Sequence, residues 1–520
     1  MPGSTGIRPS PFTLVSGGQS GPDSARPKRL QGRVIRRRPV LTSDALACEM
    51  AQIYALTLLR DIPFADLLDP QRDVRIDADT RFTLHDLQTQ LCQLPWPSGQ
   101  HVPQSAESSL LDLLALCIPG EADHPAPSAM PPDDRPQSPP QTAFGSILSA
   151  FFHSAPPRAA GPTGGDLCVP GIADPRADDS MSYWLRWIEA CCGAKLPLPD
   201  RPDPSRQRLH TPRDLAFQVH NRHSCQVYFS TALQLLSQGA PADSGALPVQ
   251  RGRVWSAQRV LTLMLNGARS ADSVRLGLSR GGRFARPGVV AARWTLIAAG
   301  EDQRAGPETA LERAALDRLR ASAPRLLHWI TQLNRVVGTG TCALPDAKGG
   351  AVDGWSPVAF RENLMLPRLD QAGAALCPAL GVGKAVLAGV QVTLLKALFA
   401  ATCDDTGATL SHRHTLTYQL DRLAANMVLG RSIAGGFYGV ENRNGLLHGQ
   451  SLALSLLRDS LEDDGLPAIL GLRNFDGQQV VLQARRSAPG AVRVSLQLDG
   501  AYARWPVDGD CPSPFLQPVA

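Results

Sequence analysis

Aromatic residues are scarce in this chain: Phe, Trp and Tyr make up 5 % of its 520 residues. That supplies few of the stacking platforms on which single-stranded nucleic acid is bound, so no nucleic-acid partner is expected. Long apolar runs are lacking too. No window approaches the roughly 18 uncharged apolar residues of a spanning helix, which argues against a membrane protein. Neither sign of charge dominates, and a formal net charge of +5 does not imply a polyanionic partner. The eleven cysteines include no CxxC pair, and only Cys191 and Cys192 are neighbours. A disulfide framework or zinc ribbon is therefore not expected, and most cysteines read as buried free thiols of a cytoplasmic chain. His220 and His223 share a helix face but Cys225 lies off it, so the three read as ordinary core or surface helix positions rather than metal ligands.

Other partial motifs are equally empty. The basic run Lys28 to Arg38 reads as a solvated face. Its twin arginines are not followed by the apolar stretch of a secretion signal, because Asp44 and Glu49 intervene. Gly338 and Gly340 are interrupted by Pro345 before any helix could cradle a dinucleotide. The pairs Asp178, Asp179 and Asp404, Asp405 lack calcium-loop spacing.

What is present is helical periodicity. The apolar fraction of 43 % with 19 % charged residues is that of a globular protein, and the length exceeds what a single core usually serves. Residues 1–40, rich in Gly, Pro, Ser and Arg, read as a draped or disordered basic arm. A first helical bundle is expected over 41–250, with a proline-rich insertion near 119–142 that holds seven prolines between Pro125 and Pro140. A second bundle follows over 251–465, and a β-hairpin tail over 466–520. The spacing predicts helices from Ser43, with Ser43 as cap, to Leu68, and at Leu110 to Cys117, Phe144 to His153 and Ser182 to Cys192. One long helix is predicted from Arg213 to Gly239, and further helices over Val254–Ala268, Thr309–Val337, Lys384–Ala401 and Leu416–Ile433. Only Val480, Leu482, Ala484 and Val492, Val494, Leu496 alternate with period two, the mark of a hairpin. The fold class expected is all-α with that small β tail.

Six segments in order carry a family likeness: MAQIYALTLLRDIPF (50–64), RDLAFQVHNRHSCQVYFSTALQLLSQGAP (213–241), RFARP (283–287), ALGVGKAVLAGVQVTLLKALF (379–399), LDRLAANMVLGRSIAGGFYGVENRNGLLHGQ (420–450) and NFDGQQVVL (474–482). In them the chain resembles the vanadium-dependent haloperoxidases of the bromoperoxidase branch, within the type 2 phosphatidic acid phosphatase superfamily. The resemblance implies paired helical bundles, assembly as a homo-oligomer or with a paralogous subunit, and a vanadate site in the second bundle. There, halide would be oxidised by hydrogen peroxide. It also implies which residues hold the anion: Arg286 and Arg431 match the family's two arginines, and Gly383 its backbone donor at a helix start. Arginine forks and a helix N-terminus suit a compact oxyanion.

The departures weigh more than the matches. At the position of the vanadium-bonded histidine stands Phe437, which has no lone pair to coordinate a metal. At the acid-base histidine stands Lys384, and at the family's lysine donor stands Leu278, a lost donor. One charge-assisted hydrogen bond is worth roughly 1.5 to 3 kcal/mol, so the loss at Leu278 alone would weaken anion binding about tenfold to a hundredfold. The superfamily's phosphatase nucleophile is the same missing histidine. The remaining imidazoles, His412, His414 and His448, read as surface or interface groups; His448 lies eleven residues past Phe437, about three helical turns away.

The sequence therefore points to a catalytically impaired haloperoxidase homologue, a non-catalytic protein with an anion-binding or subunit-pairing role. No catalytic residue, bound metal or resident cofactor is assigned, although vanadate or phosphate would suit the pocket as a small oxyanion. The alternative is a divergent peroxidase in which an oxyanion is held by Arg286, Arg431 and Lys384.

Overall fold

The computed structural model describes residues 42–96, 147–153, 209–221, 225–237, 256–278, 283–301, 310–337, 362–366, 376–378, 383–399, 410–488 and 491–505. The first forty residues, the proline-rich insertion and the expected helices at 110–117 and 182–192 lie outside them.

The order along the chain is α1 (Ser43–Leu59), a 3-10 turn (Asp66–Leu68), β1 (Asp73–Arg75), β2 (Arg81–Thr83), α2 (Leu84–Cys92), α3 (Ala150–His153), α4 (Pro212–Asn221) and α5 (Gln226–Ser237). There follow α6 (Ala257–Leu278), β3 (Arg283–Ala285), α7 (Pro287–Ala298), α8 (Ala310–Ser322), α9 (Pro324–Val337), β4 (Leu376–Pro378) and α10 (Lys384–Phe399). The described chain closes with α11 (Leu410–Ile433), α12 (Gly439–Asp464), β5 (Ala468–Arg473), β6 (Gln479–Ala488), β7 (Ala491–Leu498) and β8 (Ala501–Ala503). The fold is mostly helical with a small antiparallel sheet at its C-terminal end, as expected.

The centre is α10, whose residues Ala385 to Phe399 are all buried. It packs on α12, α11 and α6, and such a helix needs apolar residues all round rather than a stripe. The α10–α12 contact brings backbones together. A Cβ added at Gly389 would lie 2.2 Å from the Leu446 carbonyl oxygen, and one at Gly449 2.2 Å from that of Val386. Both positions therefore admit no side chain. Helix α1, equally enclosed, packs against α8, α9 and α11. Thr42 caps it, accepting from the Ala45 amide at 3.1 Å, so the cap lies one residue before the expected Ser43. The buried apolar side chains form one continuous cluster from Leu46 to Ala503.

Three boundaries correct the sequence reading. The helix expected over Arg213–Gly239 is two, α4 and α5. The Lys384 ammonium takes the carbonyls of Val219 and His220, which a continuing helix would offer to the amides four residues on. The run Thr309–Val337 divides at Pro324, which has no amide hydrogen and disfavours helix in the residue before it. The initial helix stops at Leu59, ahead of Pro63, rather than at Leu68.

Helices α2, α7 and α12 have no counterpart in the periodicity reading. In α7 every residue from Pro287 to Ile297 except Arg293 is buried, which leaves no polar stripe to read. Helix α12 opens on Gly439 and carries Gly445 and Gly449, so its sequence reads as loop. The hairpin exists as β6–β7, with Leu482 opposite Leu496, but β5 and β8 extend it to a four-stranded antiparallel sheet. Isolated hairpins are marginal in water, and β5 adds a second partner for Leu482 in Leu470.

Candidate functional site

Four chain segments converge near the end of α11. Arg431 lies in that helix's last turn, and at 2 % exposure its guanidinium is inside the protein. Helix carbonyls at a C-terminus favour a cation there. Gly435, with φ +70°, turns the chain out of the helix, and the Gly436 amide donates back to the Arg431 carbonyl at 3.3 Å. The turn delivers Phe437. Arg286 arrives from elsewhere: it is the N-cap of α7, held extended (φ −64°, ψ 152°) as the residue before Pro287. Strand β3, just ahead of it, pairs with β4.

The phenyl ring of Phe437 stands against both cations. The Arg431 Cζ lies 3.7 Å from the ring centroid and the Arg286 Cζ 4.8 Å from it. Each is a cation–π contact, strengthened by exclusion of water. Arg431 also donates to Asn442 Oδ1 at 2.7 Å, and Arg286 to the Gly436 carbonyl at 3.3 Å. The Asn442 amide is oriented by the Ser432 hydroxyl at 3.0 Å and the Val428 carbonyl at 3.2 Å. The two arginines and Phe437 named from the sequence are thus brought together.

The loop is clamped by residues that sequence reasoning missed. Buried Glu49 of α1 accepts from the amides of Gly439 (2.6 Å) and Val440 (3.1 Å), placing a carboxylate on the N-terminus of α12. The Tyr438 hydroxyl donates to the Ala285 carbonyl at 2.8 Å, tying the Phe437 loop to the residue before Arg286. Fully buried Tyr228 of α5 lies within electrostatic reach of Arg431, and its hydroxyl makes no hydrogen bond within the described protein. Burial, and next Cys225, push its phenol pKa upward against the opposing effect of Arg431. Tyr228 is therefore a neutral donor. A signal for Tyr228 did exist, because it sits within the second of the family-like segments.

The remaining candidates are placed differently. Gly383 adopts φ +83° at the head of α10, a conformation that suits glycine, and its carbonyl accepts the Leu387 amide at 3.0 Å. Lys384 follows it, and its ammonium is engaged by the Val219 carbonyl and by that of His220 at 3.5 Å. The lysine thus ties α10 to the end of α4. Leu278 closes α6; its side chain lies outside the described residues, as do those of His412 and His414. His448 is more enclosed than a fully exposed group: burial pulls its pKa down to about 4, and its Nδ1 makes no hydrogen bond among the described residues. It sits half-buried on α12, between the buried Leu447 and Gly449. Cys48 is a buried thiol pushed up to about 12, chiefly by burial, whereas Cys92 is exposed. Among the described residues no group of three or more His, Cys, Asp or Glu could hold a metal ion, and no helix is long and apolar enough to cross a membrane.

The donor set answers whether vanadate fits in the manner implied by the resemblance. A nitrogen-coordinated vanadate needs an imidazole beside the guanidiniums, and the group there is a hydrocarbon ring. These residues do not fit it. An oxyanion held only by hydrogen bonds and charge remains chemically compatible with a pair of arginines.

No family model matches the chain. It is similar to the vanadium-dependent bromoperoxidase of Corallina officinalis, with 24 % identity over 499 residues, covering 85 % of this chain and 75 % of the other. The vanadium-dependent bromoperoxidase of Corallina pilulifera is 25 % identical over 484 residues, with the same coverage. Among solved structures, the fold is similar to the homohexameric second vanadate-dependent bromoperoxidase of Ascophyllum nodosum. That match has a TM-score of 0.61 and 16 % identity and covers 90 % of this chain and 75 % of the other.

Proposed function

From the homology of this chain to the vanadium-dependent bromoperoxidases, we propose that it is a non-catalytic relative that keeps the arginine pair as a seat for a small oxyanion. One observation carries the reading: Phe437 packs its ring on the guanidiniums of both Arg286 and Arg431, so the cations persist where the coordinating nitrogen does not. Phosphate or vanadate would be held alike by charge-assisted hydrogen bonds from the two arginines, with the Gly383 amide as a further donor. Lys384 serves chiefly as a tether to α4, which weighs against the divergent-peroxidase alternative that needs it in the anion shell. The homohexamer of the Ascophyllum relative supports assembly of this chain into an oligomer, where a subunit-pairing role would be exercised.

The test is calorimetric titration of the pure protein with orthovanadate and with phosphate, beside a bromination assay at saturating vanadate, peroxide and bromide. We expect no turnover, and affinities for the two anions within about tenfold of each other, because no coordinate bond distinguishes them. Sustained bromination of an acceptor would refute the non-catalytic reading. A vanadate preference above about a hundredfold would refute the coordination-free seat. In Phe437→His the vanadate preference should appear.

A further inference from the structure

The C-terminal sheet and the helix beneath it carry two groups of charge that the described fold leaves unmatched. Along β6 and β7, Leu482, Ala484, Val492, Val494 and Leu496 are buried on the side that packs against α12, so Arg485 and Arg493 point to the opposite face. The register sets these two arginines directly across from each other, with Arg486 adjoining, and all three are exposed. Like charges so placed repel, and among the described residues no carboxylate pairs with any of the three. They lie where β5 and β8 have already ended, at the free end of the hairpin.

Beside them α12 ends in an acidic turn. Glu462 accepts the Val494 amide at 3.4 Å, on the edge of β7 past the end of β8, which sets the helix end next to Arg493. Asp464 is taken by Arg259 at 2.7 Å and Asp459 by Arg458 at 3.3 Å. Glu462 and Asp463 are exposed, and no cation pairs with either among the described residues. The last turn holds no basic residue, so these carboxylates face the negative end of the helix dipole. Each group is unfavourable in the chain that carries it, and the two adjoin without pairing. On the arginine face, Gln497 lies opposite Tyr502, whose ring is 53 % exposed. Tyrosine and arginine are side chains in which protein interfaces are enriched.

We propose that the free end of the β6–β7 hairpin and the acidic end of α12 together form the face through which this chain pairs with a second copy of itself. Across a two-fold axis the arginines of one copy meet Glu462 and Asp463 of the other, and the reciprocal contact follows by symmetry. An isologous contact needs one self-complementary patch, which two adjoining groups of opposite charge supply. A second copy fits this face better than a polyanion, which the carboxylates beside the arginines would repel. The proposal rests on the reading of the chain as an oligomer and names the surface that joins it.

Sedimentation equilibrium of the full chain reads the association directly. Wild type should associate, and more weakly as salt rises from about 0.05 to about 0.5 M, because exposed charges are screened. Two double variants, Arg485→Glu with Arg493→Glu and Glu462→Gln with Asp463→Lys, should each associate about a hundredfold more weakly, as juxtaposed like charges dictate. The glutamine keeps an acceptor for the Val494 amide, and both variants should melt near wild type because the altered side chains are exposed. Mixed in equal amounts, the two variants should associate again, since each altered group then meets its opposite. A general loss of stability would not be restored by mixing. If wild type is monomeric at every accessible concentration, the oligomer reading falls and this face with it. If wild type associates and neither variant weakens it, this face is overturned while the oligomer stands. If both variants weaken association and their mixture stays apart, the charge pairing is overturned.

Discussion

Two places in the core set a buried cation over a phenyl ring, and they are closed in opposite ways. At one end of α12, Arg431 and Arg286 share the ring of Phe437, held also by the neutral oxygens of Asn442 and Gly436. Farther along the same helix, Gln450 accepts the Phe475 amide at 2.8 Å, fixing the Asn474–Gln478 turn. There Lys396 lies 4.4 Å from the Phe475 ring centroid and 2.7 Å from Asp421 Oδ1. The second site carries its own counter-charge; the first gathers two positive charges around one hydrocarbon ring. Local chemistry is shared, but one arrangement sets an ammonium against a carboxylate and the other stacks two guanidiniums on a single ring. The burial of Asp421, opposed by Lys396, raises its carboxyl pKa, so desolvation outweighs the attraction of the ammonium there.

The largest effect should come from breaking the closed site. Asp421→Asn leaves the 1 %-exposed Lys396 side chain facing a neutral amide, and should cost about 3 to 5 kcal/mol in urea unfolding. The double variant Asp421→Leu, Lys396→Met should recover most of that. A neutral single variant would show that the pair does not close that part of the core.

A smaller effect separates the two sites along α12 itself. Burial holds the native pKa of His448 at about 4 against the ordinary 6.5 of an imidazole, so the unfolded chain binds its proton first as pH falls. Stability should therefore be fully present above about pH 6.5 and decline as pH drops toward 4, by on the order of 2–3 kcal/mol from this group. His448→Gln should flatten that part of the stability profile, which thermal melts between pH 4 and 7 would reveal. An unchanged slope would mean that other groups govern the acid limb.

Smaller effects again are expected from the two rings. Phe437→Leu keeps an apolar plug but removes both cation–π contacts, and should lower stability by about 1 to 2 kcal/mol. Phe475→Leu, with one cation over its ring, should cost less through that term, and the difference read from parallel denaturant curves sharpens the comparison. Equal losses would mean that the second arginine contributes nothing through the ring.

The family-like words made Arg286, Arg431, Gly383, Lys384 and Phe437 legible, because each sits in a short segment whose residue order carries information. Glu49, Asn442 and Tyr228 were not read as site residues, since what makes them matter is contact across the fold. Glu49 caps a helix 390 positions away, and no local pattern encodes that pairing. Periodicity found the amphipathic helices but missed α7 and α12, where burial on every side or a run of glycines erases the stripe that a period reveals. It also joined α4 to α5, because the donor that ends α4 comes from Lys384, 165 residues downstream.

By itself, the order of residues determined the helical class and the hairpin and marked out the two arginines and Phe437, since these are written in side-chain type and short-range spacing. Only the tertiary structure decided that the ring stacks on both arginines and that the lysine closes a helix. Those are properties of distance between segments far apart in the chain. They exist only once packing has fixed which helix ends meet.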